Sequence, residues 1–166
     1  MTRTLCRLLA FGAAGALLAG AGRAGPRRQF EPLAIIVNRG NPATAVDRAE
    51  LRRLLLGERS RWANGRRVTI VMREAGAPER LVVLQQVYGM SESTFRRYFL
   101  HAVYTGDVSD APRELTSPNG VMRFVFNVPG AIGYVRAGDA DSTVKVIAVD
   151  GLLPGDPGYP LLVPEP

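Results

Sequence analysis

The residues equipped for chemistry are few in this chain of 166 residues, which has one cysteine, Cys6, and one histidine, His101. A nucleophilic enzyme needs a base within reach of its nucleophile, and a structural zinc site needs about four ligands. Neither set can be assembled here. His101 falls opposite the apolar stripe of the helix expected around it, one turn from Arg97, where a side chain faces solvent. Asp139 and Asp141 lack the further oxygen ligands and the closing Glu of an EF-hand loop, and read as turn residues between strands. Lys145, the only lysine, sits in an expected strand, so the Ser and Thr residues have no spaced His or Lys partner. The chain therefore reads as a binder and not as an enzyme, with no cofactor and no metal expected.

The segment best suited to holding a small molecule is Arg73-Glu74-Ala75-Gly76-Ala77-Pro78-Glu79-Arg80. It joins a strand expected at 68–72 to a helix expected to open at Pro78, which fits a first helical turn. Free backbone N–H groups and the positive end of a helix suit an oxyanion, and Arg73 and Arg80 add bidentate donors. Gly76 and Ala77 keep the backbone accessible. The same segment also reads as a plain strand-to-helix turn with two solvated arginines. Pro78 has no N–H, the loop has no hydroxyl, and Glu74 and Glu79 are placed to pair with either arginine and neutralise the site.

Charge is a weaker guide. The formal net charge is +6, from 21 basic residues that are arginine except for Lys145. That balance suits an anionic ligand. The arginines are scattered without an aromatic-interleaved patch, so nucleic acid is not an expected partner. A composition 46% hydrophobic and 22% charged is that of a globular domain with a core, not of a disordered chain.

The elements that must position the loop alternate between strand and helix. Residues 33–37 form an apolar, β-branched run ended by Asn38 and the turn Gly40-Asn41-Pro42, a buried strand. Asp47 with Glu50 resembles a capping box ahead of Leu51, Leu54 and Leu55, and Gly57 stops that helix. Trp62 to Gly65 is a turn. The helix opening at Pro78 is expected to bury Leu81, Leu84 and Tyr88 and to stop at Gly89. Ser91 opens a helix with Phe95, Tyr98, Phe99, Ala102 and Val103 suited to burial. After an irregular stretch at 105–116, Ser117-Pro118 caps a helix running to Asn127, broken by Pro129-Gly130. Strands follow at 132–135 and 144–149. Alternation of this kind points to an α/β layer fold.

The ends are read separately. Arg3 and Arg7, the apolar run 8–18 and Ala19-Gly20-Ala21 have the layout of a secretory signal peptide over residues 1–21. Its removal would take away Cys6 and lower the charge to +4, leaving no disulfide to support the fold. The G-x-G-x-x-G match at Gly20 to Gly25 follows no strand and runs into Pro26, so it is not a dinucleotide site. Residues 22–32 read as a linker, 33–150 as the domain, and 151–166, with five prolines, as an extended tail.

Four pieces in order carry a family resemblance: Leu33-Ala34-Ile35-Ile36-Val37-Asn38; Leu54-Leu55-Leu56-Gly57 with Trp62-Ala63-Asn64-Gly65; Val71-Met72-Arg73; and Pro129-Gly130-Ala131-Ile132-Gly133-Tyr134. Over about 100 residues the chain resembles the phosphate-type periplasmic solute-binding proteins, especially their short relatives. The resemblance implies a type II binding-protein-like fold, a mixed sheet flanked by helices and here reduced to a single compact domain. It implies a periplasmic location, a small anion such as phosphate or a related oxyanion as ligand, and a transporter permease or envelope sensor as partner. The chain is expected to act as a monomer. Ligand in such folds sits at strand ends and helix N-termini, which sets Asn38, Arg73, Gly76, Ala77, Arg80 and Tyr134 as the candidate ligand-binding residues. Tyr134 has an equally plain role in the core. The family's Ser-Gly-Thr-like hydroxyls are replaced here by Ala75 and Ala77, which leaves a ligand-less interaction module of the envelope as the alternative.

Overall fold

The continuous apolar run Leu33–Val37 predicts a strand covered on both faces, and the computed structural model, in which residues 29–165 are described, places it at the centre of the sheet. The expected export segment and most of the expected linker lie outside the described residues. Strand β1 (Phe30–Asn38) is followed by β2 (Ala45–Val46), α1 (Arg48–Leu55), β3 (Thr69–Arg73) and α2 (Pro78–Val83). Then come α3 (Glu92–Thr105), β4 (Arg113–Leu115), α4 (Pro118–Asn127), β5 (Ala131–Arg136), β6 (Val144–Val149) and β7 (Leu162–Pro164). The sheet order is β2-β6-β1-β5-β3-β4, with β7 paired to β1. Strand β1 runs antiparallel to β5 and β6, whereas β3 runs parallel to β4 and β5, so the sheet is mixed.

Alternation along β1 divides the core. Leu33, Ile35 and Val37 pack with Leu51 and Leu54 of α1, Val83 of α2 and Phe95 and Phe99 of α3. Ala34 and Ile36 point to the other face, against Val121, Met122 and Val125 of α4. Burying each large apolar side chain contributes about 1.5–3 kcal/mol. The helices start where their caps dictate. The side chains of Asp47, Ser91 and Ser117 accept from the N–H groups of Glu50, Thr94 and Gly120 at 2.7, 3.2 and 3.0 Å.

Two of the sequence pieces interlock. The buried Trp62 donates its indole N–H to the Gly130 carbonyl at 2.9 Å, and the Thr69 N–H donates to the same oxygen at 3.0 Å. A Cβ at residue 130 would lie 1.9 Å from the Arg67 carbonyl oxygen, so only glycine fits. These contacts fix the start of β3 against the start of β5.

Several features differ from expectation. Strand β1 begins at Phe30, and residues 30–32 pair with β7 instead of serving as linker. The proline-rich end is extended but packed. Tyr159, Leu161 and Val163 alternate inward, the Leu33 N–H donates to the Leu161 carbonyl, and the Tyr159 hydroxyl donates to the Leu33 carbonyl. Helix α2 is rotated so that Glu79 and Arg80 face inward while Leu81 is exposed, and one π-helical turn, Leu84–Tyr88, then brings Leu84, Val87 and Tyr88 into the core. Val103 of α3, also expected to be buried, is exposed.

Candidate functional site

Parallel strands β3, β4 and β5 end at one pole of the sheet, at Arg73, Leu115 and Arg136. The loop 74–77 leaves this pole, with Gly76 at φ +88° and open space where a side chain would be. Ala77 is buried at the N-cap of α2 without a side-chain cap, and its N–H is bonded to the Glu74 carbonyl at 3.3 Å.

Arg80 is enclosed entirely by protein. Its Nε and Nη2 donate to the two Glu92 oxygens at 2.9 and 2.7 Å, and Nη1 donates to Glu114 at 2.8 Å and to the Arg73 carbonyl at 2.9 Å. Its guanidinium also lies 5.1 Å from the centre of the Phe95 ring. Burial alone would lower its pKa, but the bonds and charges of Glu92 and Glu114 outweigh that and raise it. The two carboxylates take the geometry an oxyanion ligand would need, so Arg80 clasps α2 to α3 and β4.

A second network lies beside it. Arg136 donates to Glu79 at 2.6 Å and to Glu31 at 3.2 Å, and Glu31 also accepts from the Gly138 N–H at 3.0 Å. Burial opposes the Arg136 charge, but Glu79 and Glu31 raise its pKa on balance. Arg73 occupies the space between the networks. Its Nε stands 3.7 Å from Glu79 Oε2, too far for a hydrogen bond, and its side chain is 12% exposed. Among the described residues, Arg73 Nε and Nη1 and Glu79 Oε2 are buried without hydrogen-bond partners. Orphaned buried polar atoms are uncommon, and three of them side by side mark this spot.

Tyr134 is buried below Arg73, its hydroxyl accepting from the Arg73 N–H at 3.3 Å. Burial pushes its phenol pKa well up, with the Arg73 N–H bond opposing, so the group stays protonated. Asn38 is not brought to this pole. Because β1 is antiparallel to β5, Leu33 pairs with Arg136 and Asn38 lies at the far end. There its amide donates to the Val125 and Phe126 carbonyls at the end of α4, at 3.0 and 2.6 Å. The candidate set thus divides into Arg73, Gly76, Ala77, Arg80 and Tyr134 at one pole and Asn38 at the other. Sequence reasoning missed Arg136, Glu31, Glu92 and Glu114. Arg136 follows Tyr134 by two residues on β5, a signal the motif could have supplied, but the others come from distant elements.

A cleft of about 490 Å³ opens elsewhere, at the start of β3. No group of three or more His, Cys, Asp and Glu residues suited to a metal occurs among the described residues, nor does a helix long and apolar enough to cross a membrane.

No protein-family model matches the chain, and no curated protein matches it. Solved structures do. An ABC-type phosphate transport receptor from Vibrio cholerae superposes with a TM-score of 0.64 at 23% identity, over 81% of this chain and 55% of the receptor. A putative phosphate ABC transporter substrate-binding protein with bound phosphate from Clostridium perfringens gives 0.66 at 18% identity, over 81% and 54%. PstS from Borrelia burgdorferi gives 0.63 at 14% identity, over 82% and 56%. The chain spans little more than half the length of these proteins. At such identities the likeness is one of fold, and the described residues form a compact mixed α/β unit of the phosphate-receptor type.

Proposed function

We propose that the chain is a binding domain that takes up a small oxyanion at the pole where β3 ends, and serves an ABC-type transporter or an envelope sensor. The observation that carries this reading is the group of orphaned atoms on Arg73 and Glu79. Arg73 offers N–H donors without acceptors, and Glu79 Oε2 offers an acceptor without a donor. A ligand with both acceptor oxygens and an O–H, such as hydrogen phosphate, complements the two together. Sulfate has no O–H at neutral pH and would set an anion against Glu79, an unpaired contact that penalises it. Two of the structural neighbours, a phosphate transport receptor and a phosphate ABC transporter substrate-binding protein, agree with this ligand class.

A second reading, a ligand-less interaction module, is favoured by the carboxylates that already satisfy Arg80 and Arg136 and by the slight exposure of Arg73. A thermal-stability screen separates the two. A ligand that binds only the folded state raises its stability, by about 2.7 kcal/mol at one hundred times its Kd. Phosphate raising Tm in a concentration-dependent way, with sulfate less effective, supports the anion-binding reading. No shift with any oxyanion or carboxylate supports the interaction module.

A further inference from the structure

The cleft at the start of β3 has no part in the reading at Arg73. Its volume of about 490 Å³ lies in the range of small-molecule sites, about 300–1,000 Å³. One wall is built by the loop after α3, which is fixed in place. Val108 is 8% exposed, donates its N–H to the Ala102 carbonyl at 3.1 Å, and packs on Gly57. A Cβ on residue 57 would lie 2.9 Å from Val108, and φ there is +76°, so glycine permits this closure.

The lining also carries cations with little to hold. The Arg113 guanidinium lies 5.3 Å from the centre of the Phe124 ring, and among the described residues no carboxylate forms an ion pair with it. Arg67 reaches Asp110 only at 3.6 Å, between side chains 56% and 80% exposed, a pair worth little in water. Within the wall formed by the loop, the N–H groups of Ser109 and Asp110 donate to no backbone carbonyl among the described residues. Ile70, Val108 and Phe124 supply the apolar part of the lining.

Cations beside apolar side chains in one cleft fit a ligand with two unlike ends. We propose that this cleft binds a small organic anion, with its carboxylate or phosphate head on Arg113 and Arg67 and its apolar body on Phe124, Val108 and Ile70. Asp107 and Asp110 also line the cleft and repel a compact ion of high charge, so a monoanion with an apolar body binds better than inorganic phosphate.

A heteronuclear NMR titration of the purified full chain tests this, with benzoate and inorganic phosphate as probes. Benzoate is expected to shift the amides of residues 67–70 and 107–113 saturably. Arg113→Gln should weaken that binding about tenfold or more, as loss of a charge-assisted bond does, and Arg67→Gln should weaken it less. Both side chains are exposed, so both variants should keep the wild-type Tm, and Arg73→Gln should leave benzoate binding unchanged. The proposal is overturned if benzoate moves no amide in those segments, or if Arg113→Gln and Arg67→Gln bind it as wild type does. Phosphate binding in the cleft as tightly as benzoate would overturn the role of the apolar lining. The reading at Arg73 is reported by the amides of 73–80, so the two sites can fail independently.

Discussion

Replacing Arg80 with alanine removes the one cation fully enclosed among the described residues, and the structure sets the cost. The guanidinium makes two bonds to Glu92, one to Glu114 and one to the Arg73 carbonyl, and stacks near Phe95. Breaking a buried pair by deleting one partner costs about 3–5 kcal/mol. Here Glu92 and Glu114 are 28% and 50% exposed and can recover water, so the lower end applies, about 3 kcal/mol. Arg80→Met restores part of the stem's volume and should recover about 1 kcal/mol of that. Urea unfolding of the three proteins measures both differences. The pH dependence gives a second readout. Burial alone would raise the Glu92 carboxyl, but the bond and charge of Arg80, with help from Arg96, hold it below its ordinary value. A carboxyl depressed by folding stabilises fully above its unfolded pKa of about 4.3, and that contribution is lost as pH falls through the folded value. The gap between wild type and Arg80→Ala should therefore be full at neutral pH and shrink in acid. A loss below about 1 kcal/mol, or a gap that widens in acid, would refute the view of Arg80 as a structural clasp.

Gly130→Ala drives a Cβ against the Arg67 carbonyl oxygen and should cost about 3 kcal/mol or more, seen as a large fall in Tm; an unchanged Tm contradicts the interlock. Trp62→Phe keeps an aromatic ring but abandons the Gly130 carbonyl, so it should cost about 1–2 kcal/mol, against about 3–5 kcal/mol for Trp62→Ala. Equal losses in denaturant melts would show that the indole N–H has no special role. Residues 1–21 should direct export, giving a mature N-terminus after Ala21 by protein sequencing; a cytoplasmic product that begins at Met1 contradicts this.

What was legible in the sequence was what local pattern encodes. The run Leu33–Val37 reads as a buried strand because both of its faces are covered, and Asp47, Ser91 and Ser117 mark helix starts because each side chain accepts from an N–H three residues on. Strand β7 was hidden because its prolines masked the alternation of Tyr159, Leu161 and Val163, which has meaning only beside β1. The orientation of α2 was hidden for another reason. Its apolar residues favoured burying Leu81, but Glu92 and Glu114 draw Arg80 inward and Arg136 draws Glu79 inward. Those partners come from other elements, and Glu31 and Arg136 stand 105 residues apart. Arg73 and Tyr134 fall at one pole because strand ends can be read from sequence. Asn38 was misplaced relative to them because strand direction cannot.

Oxyanion binding at Arg73 and Glu79 is read by titration calorimetry with phosphate and sulfate on wild type and Arg73→Ala. Wild type should bind phosphate more tightly than sulfate, and Arg73→Ala should weaken phosphate binding by about one to two decades, the worth of charge-assisted bonds to an arginine. Absence of phosphate binding by wild type, or equal phosphate affinity in the two proteins, would rule out oxyanion binding at this pole.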